Sequence, residues 1–179
     1  MCGQRRVVLF IAVSLDGYIA TENEQLDWLF EVDGEGDNGI SAFYETVDTV
    51  LMGRKTYDWV KKETINEGFP YQDKRTFVFT NQFLDGEPSV QRVHEDLESF
   101  VNQLKQESGK NIWLVGGGEL VSSFLKADLL DEITVTVAPK LIGKGVRLFP
   151  EMNSKHNLSL KQVQTFNQFV ELHYVVDRL

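Results

Sequence analysis

Gly116-Gly117-Gly118 follows the apolar run Asn111 to Val115 and precedes a helical pattern that opens with Glu119-Leu120-Val121, which is the composition of an anion seat. Residues without a Cβ let the backbone take positive φ and let a ligand approach the main chain closely. The helix that follows offers unpaired N–H groups and the positive end of its dipole, a combination that suits phosphate. The stretch is not a Gly-x-Gly-x-x-Gly fingerprint, because position 121 is Val, and no Gly-Lys-Ser/Thr follows to make a P-loop. Taken alone it reads equally as a pyrophosphate seat or as a glycine-rich strand-to-helix turn.

A second group, Gly53-Arg54-Lys55-Thr56, sets two cations and a hydroxyl where a helix follows a strand. A guanidinium pairs bidentately with phosphate, and the hydroxyl can donate to an oxygen or cap the helix. Solvated surface charges for Arg54 and Lys55, and an N-cap for Thr56, are the competing readings. Thr80-Asn81, after another apolar run, fits either an anion contact or simple turn chemistry.

These residues must be positioned by a chain of 179 residues with 42% hydrophobic and 25% charged content, ordinary for one globular domain with a sizeable core. We expect one domain over residues 1–179. A net charge of −9 argues against nucleic-acid or anionic-membrane surfaces, so any phosphate bound here is small and locally held. The single cysteine, Cys2, excludes an intramolecular disulfide and fits a reducing compartment. No run of about twenty apolar residues and no signal-peptide pattern occurs, so a cytoplasmic location is expected. The three histidines are scattered, and no metal is assigned.

Val7 to Val13 is a continuous β-branched apolar run that reads as a strand buried on both faces. Further strands are expected at Asp48 to Met52, Thr76 to Thr80, Ile112 to Val115 and Ile133 to Val137. Between them, Glu95 to Glu107 aligns Leu97, Phe100, Val101 and Leu104 on one helical face, with Gly109 closing its end. The helix from about Gly118 aligns Leu120, Val121, Phe124 and Leu125. This alternation predicts an α/β fold with helices on both faces of a sheet. Asn157 to Thr165 and Phe169 to Val176 break it as two successive strands, so the sheet should be mixed: mostly parallel, with an antiparallel C-terminal hairpin. Val32 to Gly39 reads as a surface loop.

In the order Ser14-Leu15-Asp16-Gly17-Tyr18-Ile19-Ala20, Gly53-Arg54-Lys55-Thr56-Tyr57, Thr80-Asn81 and Gly116-Gly117-Gly118, the strand ends resemble the dihydrofolate-reductase-like superfamily over nearly the whole chain. Pro139-Lys140-Leu141-Ile142-Gly143-Lys144-Gly145 with Leu148-Phe149 is similar to its riboflavin-biosynthesis reductase branch, the RibD C-terminal domain type, here as a short stand-alone member. Each piece is weak by itself; the ordered set is specific.

The resemblance implies a three-layer fold and NADPH as cofactor. Gly117 and Gly118 would hold the pyrophosphate with Thr56, flanked by Gly53, Val115, Gly116, Glu119 and Leu120. Arg54, Lys55, Thr80 and Asn81 would surround the adenosine 2′-phosphate; Ala12, Ile19 and Ala20 would line the nicotinamide, with Asp16-Gly17 in the loop beside it. For the substrate, the resemblance suggests Thr136, with Asp16 or Asp37 as the carboxylate that orients or protonates a ring; the aromatics Trp28, Phe43, Tyr44 and Tyr57 could wall that ring, with core packing as their competing reading. An acidic loop residue or helix cap for Asp37, and a core strand position for Thr136, are the alternatives.

Departures leave the substrate open. The Trp-Ile-Thr/Ser and Arg-Ala segments usual in riboflavin-pathway reductases are absent, Gln25-Leu26-Asp27-Trp28-Leu29 and Phe43-Tyr44-Glu45-Thr46 standing there instead. The expected function is an NADPH-dependent reductase of a pyrimidine- or pteridine-like heterocycle. A dihydrofolate reductase and a non-catalytic NADP(H)-binding module are the alternatives, and the Phe- and Val-rich C-terminal strands suggest a homodimer.

Overall fold

A computed structural model describes residues 4–84 and 87–178; Cys2 lies outside them. The chain forms β1 (Val7–Ser14), β2 (Tyr18–Ala20), α1 (Asp27–Phe30), α2 (Ile40–Tyr44), β3 (Val47–Gly53) and α3 (Arg54–Glu63). It continues through β4 (Arg75–Phe79), β5 (Val90–Val93), α4 (Leu97–Gln106), β6 (Asn111–Gly116) and α5 (Gly118–Lys126). The last elements are β7 (Glu132–Ala138), β8 (Val146–Arg147), β9 (Leu158–Phe166) and β10 (Phe169–Val176).

Eight strands make one sheet in the order β5-β4-β3-β6-β1-β7-β10-β9, and β2 pairs with β8 in a separate ribbon. The six strands from β5 to β7 are parallel, while β10 runs antiparallel to both β7 and β9. The mixed sheet with an antiparallel C-terminal hairpin therefore matches the expected architecture.

Side-chain alternation along the strands sorts the core into layers. Val7, Leu9, Leu51, Phe77, Ile112 and Leu114 pack with Val101 and Leu104 of α4 and Val121, Phe124 and Leu125 of α5. On the opposite face, Val50, Met52 and Val78 pack with Tyr57 and Val60 of α3. Trp28, Ala138, Phe166 and Phe169 form a third cluster where α1 meets the C-terminal hairpin. Fully burying each such aliphatic side chain contributes about 1.5–3 kcal/mol, so helices held on both faces follow from the strand pattern.

Several boundaries differ from expectation. Helix α4 begins after Asp96, whose side chain accepts from the Ser99 amide, and ends before an extended Glu107. Gly109 has a different role: a Cβ there would lie 2.5 Å from the Asp48 carboxylate and 3.1 Å from the Arg5 guanidinium. Buried Arg5 donates to Asp48, Thr49 and the carbonyls of Lys110 and Leu104, which ties the N-terminal strand to β3 and α4. The short strands β2, β5 and β8 and helix α1 carry little periodic signal, because four residues or fewer cannot display a period.

Candidate active site

β1 pairs with β6 over Val7–Leu9 but with β7 from Val8 to Ser14. Beyond Leu9, β1 and β6 part, and the sheet opens at the carboxyl ends of its parallel strands, where ligands of open α/β sheets sit. Phe10, Ile11 and Ala12 are accordingly half-buried, which corrects the expectation of a strand buried throughout. The opening is a cavity of about 830 Å³, within the roughly 300–1,000 Å³ of small-molecule sites. Trp113 Nε1 donates to the Phe10 carbonyl at 3.1 Å, replacing a ladder bond where the strands separate.

One end of the cavity is the glycine loop. Gly116 has φ 126° and Gly117 φ 38°, values that side chains other than glycine rarely adopt. The nine-residue helix α5 begins without a side-chain cap, so its first amides are available to a ligand. Gly118 answers a different demand, because a Cβ there would meet the Arg147 carbonyl oxygen at 2.3 Å. Val115, Glu119, Leu120 and Ser123 complete this wall. Leu120 thus turns toward the cavity, whereas Val121, Phe124 and Leu125 enter the core.

Gly53, Arg54, Lys55 and Thr56 line the adjoining wall. The N-cap of α3 is Gly53, in extended conformation, and not Thr56. Instead, Thr56 Oγ1 donates to the Gly116 carbonyl at 3.3 Å, coupling the two phosphate-type loops. Arg54 Nε contacts both oxygens of Asp58 at 2.8 Å and its Nη1 donates to the Phe83 carbonyl. Lys55 lies 3.9 Å from Glu119 with both side chains more than 80% exposed. Such exposed pairs contribute little, so both cations can exchange partners for an anion at small cost. Thr80 and Asn81 are placed outside the walls of this cavity; Thr80 Oγ1 accepts from the Gln82 amide as a turn residue.

The other end holds Ala12, Ile19 and Ala20, while Gly17 turns away with φ 89°. Sequence reasoning missed Trp59, Tyr71 and Arg147 in the walls. Trp59 follows Lys55 by one helical turn, and Ser123 follows Glu119 likewise, so helical spacing was a usable signal. Arg147 had none, because it arrives through the pairing of β8 with β2 and lies over the Tyr18 ring. Burial pushes the Tyr71 hydroxyl up to about 12, so it stays a neutral donor at physiological pH.

Neither expected carboxylate is brought into the cavity. Asp16 accepts from the Ser14 hydroxyl and from the amides of Ile142 and Gly143. Chiefly the Ser14 bond, with those amides, holds its carboxyl below the usual range, the opposite of what a general acid requires. Asp37 caps the entry to α2, accepting from the Gly39 and Ser41 amides, and Ser41 likewise lowers its pKa.

A second lobe of about 480 Å³ shares Phe10, Ile11, Ala12, Leu29 and Trp113 with the first. Thr136 lines it, as do Gly34, Gly36 and Asn38 of the 32–39 loop. Phe43 stands behind its wall, stacked on Phe10 with centroids 4.1 Å apart and edge-on to Trp113. Trp28 lies in the third core cluster, behind Leu29, Val32 and Phe169 of the second lobe and in neither lining, and its buried Nε1 has no partner among the described residues. Among the described residues, no group of three or more His, Cys, Asp or Glu side chains could hold a metal ion.

The model of the family described as the RibD C-terminal domain matches residues 5–172. The chain is 49% identical over 178 residues to the uncharacterized protein YwjB of Bacillus subtilis, covering 96% of this chain and 98% of that one. It is similar to a Shewanella sp. PV-4 protein provisionally named for riboflavin biosynthesis, with 33% identity, TM-score 0.85, and coverage of 97% and 99%. A Thermotoga maritima diaminohydroxyphosphoribosylaminopyrimidine deaminase/5-amino-6-(5-phosphoribosylamino)uracil reductase shares the fold at 20% identity and TM-score 0.71, over 97% of this chain and 57% of its own.

Proposed function

Because the chain belongs to the RibD C-terminal domain family, we propose that it is an NADPH-dependent reductase of a pyrimidine- or pteridine-like heterocycle, with a 5-amino-6-(5-phosphoribosylamino)uracil-type compound as the first candidate. One observation carries the reading: the parting of β1 from β6 gathers Gly116, Gly117, Arg54, Lys55 and Thr56 at one end of a cavity whose other end is Ala12, Ile19 and Ala20. The donor set fits the cofactor. Uncapped amides of α5 and the Thr56 hydroxyl suit a pyrophosphate, and two weakly committed cations suit a further phosphate better than a bare ribose. Among the described residues two carboxylates, Glu24 and Glu119, line this cavity, and Glu119 already faces Lys55 while Asp58 is paired with Arg54.

When bound, the cofactor supplies the hydride. The residues of this chain would hold it by its phosphates, present one ring face along Ala12 and Ile19, and exclude water with Phe10, Trp113 and Leu29 where the two lobes join. The second lobe, with Thr136 in its wall, is the place for the heterocycle. A cytoplasmic location accords with this reading; among the described residues no helix is long and apolar enough to cross a membrane.

A second reading, a non-catalytic NADP(H)-binding module, is favoured by the engagement of Asp16 and Asp37 elsewhere. Following NADPH absorbance with 5-amino-6-(5-phosphoribosylamino)uracil and with dihydrofolate as oxidants separates the readings. Turnover of the uracil supports the reductase reading, and turnover of dihydrofolate alone moves the chain to folate reduction. Tight NADPH binding without turnover of either leaves the binding module, and absence of NADPH binding overturns all three.

A further inference from the structure

Across the sheet, Ala12 of β1, Thr136 of β7 and Glu171 of β10 occupy one register row. Residues paired across neighbouring strands project from the same face, so the three side chains lie side by side. Ala12 and Thr136 line the second lobe; Glu171 stands one strand further along, beside its wall and not in it, with Oε2 accepting from Thr136 Oγ1 at 3.4 Å. Phe169, two residues before Glu171 on the same face, lines that lobe as well. Asp16 and Asp37 each have both carboxylate oxygens engaged, by Ser14, Ile142 and Gly143 and by Gly39 and Ser41 respectively. The carboxyl of Glu171 has one long hydrogen bond from Thr136 and further acceptor capacity.

The geometry points to Glu171, oriented by Thr136, as the group that recognises the N–H edge of a flat nitrogen heterocycle reaching past Thr136 from the second lobe. A carboxylate is acceptor-only when ionised, so it selects ring N–H and exocyclic amino donors and rejects the same ring when those nitrogens are alkylated. The walls on either side of the row are aromatic: Phe10 and Trp113 beyond Ala12, and Phe169 on the strand of Glu171. They suit a planar ring whose polar contacts are confined to its rim. Burial raises the pKa of Glu171 against the opposing effects of Thr136 and His173, and an N–H donor edge would offset that unfavourable desolvation of the ionised form. The assignment rests on the reductase reading for its substrate class, but its test does not depend on turnover.

Isothermal titration of the NADPH-loaded protein with 5,6-diaminouracil, and with its 1,3-dimethyl analogue, tests it. Wild type should bind diaminouracil at least ten-fold tighter than the dimethyl compound. Glu171→Gln turns one acceptor into a donor and should erase that preference, weakening diaminouracil at least ten-fold while changing NADPH affinity less than two-fold. Thr136→Val should weaken diaminouracil several-fold, and Thr136→Ser, which keeps the hydroxyl, should restore it. Glu171→Asp, which withdraws the carboxyl by one methylene, should give an intermediate loss. Wild-type affinity in Glu171→Gln, an equal affinity of wild type for the two uracils, or no binding of diaminouracil would each overturn the assignment. Loss of NADPH binding by wild type would instead count against the reductase reading.

Discussion

The backbone of Gly118 lies so close beneath Arg147 that a Cβ would sit 2.3 Å from its carbonyl oxygen and 2.9 Å from that of Leu148. The start of α5 and the segment that follows β8 therefore touch through bare main chain. Neither side can yield as a flexible side chain would. Gly118→Ala should cost about 1–3 kcal/mol of stability, the usual range for forced overpacking, and weaken NADPH by displacing the α5 amides. Gly53→Ala is the control, since nothing lies within 4 Å of a Cβ there; it should leave the urea midpoint unchanged or slightly raised. An unaltered midpoint for Gly118→Ala would contradict the contact.

Arg54 spends its guanidinium on Asp58, one helical turn away, and on the Phe83 carbonyl. An i,i+4 surface pair contributes only a few tenths of a kcal/mol, so a phosphate can displace it. A hydrogen bond to a charged group is worth about 1.5–3 kcal/mol, which corresponds to roughly ten- to hundred-fold in affinity. Arg54→Ala should weaken NADPH by that factor and NADH by less than three-fold. Equal weakening, measured by titration of both nucleotides, would remove Arg54 from the 2′-phosphate.

Asp16 clamps the Ser14–Gly17 turn onto the Ile142–Gly143 amides. Its folded pKa lies below the unfolded value, so its contribution is full above the ordinary carboxylate range, near pH 4, and fades as pH falls through the folded pKa. Asp16→Asn should lower the Tm at neutral pH, and the gap to wild type should close progressively on acidification below about pH 4. A gap that widens in acid would reverse the assigned role.

Lys105 is buried at 4% exposure against Asp131, with Nζ 2.5 Å from Oδ2. Stripping one partner from a buried pair costs about 3–5 kcal/mol when the other charge is left bare. Asp131 also accepts from the Val7 amide and pairs with Arg178, so it would keep two partners. Lys105→Met should therefore cost about 1–3 kcal/mol in urea denaturation and leave NADPH affinity unchanged.

Local chemistry made the long elements, and the Gly53–Thr56 and Gly116–Gly118 walls of the cavity, legible from the residues alone. Val7 to Val13 and Ile133 to Val137 are β-branched runs whose periodicity lives within a few residues, and Phe169 to Val176 announces a hairpin partner by proximity. Lys55 and Trp59 sit one turn apart on α3, and such spacing remains readable along a helix. Trp28 illustrates the limit: an aromatic near a site in sequence belongs to a core cluster with Ala138, Phe166 and Phe169, and only packing distinguishes the two.

Residue types and order along the chain determined the α/β alternation, the antiparallel ending, and the glycine-rich and Gly53-Arg54-Lys55-Thr56 strand ends as candidate anion contacts. These follow from dihedral preference, side-chain period and charge, all properties of neighbours in sequence. Tertiary structure alone decided that β1 leaves β6 after Leu9, that Arg147 closes over Gly118, that Asp16 is tied to the Ile142 and Gly143 amides, and that Glu171 meets Thr136. Each of these depends on strand order and register, which bring together residues up to 127 positions apart, such as Asp16 and Gly143. A spacing of that length carries no local signal.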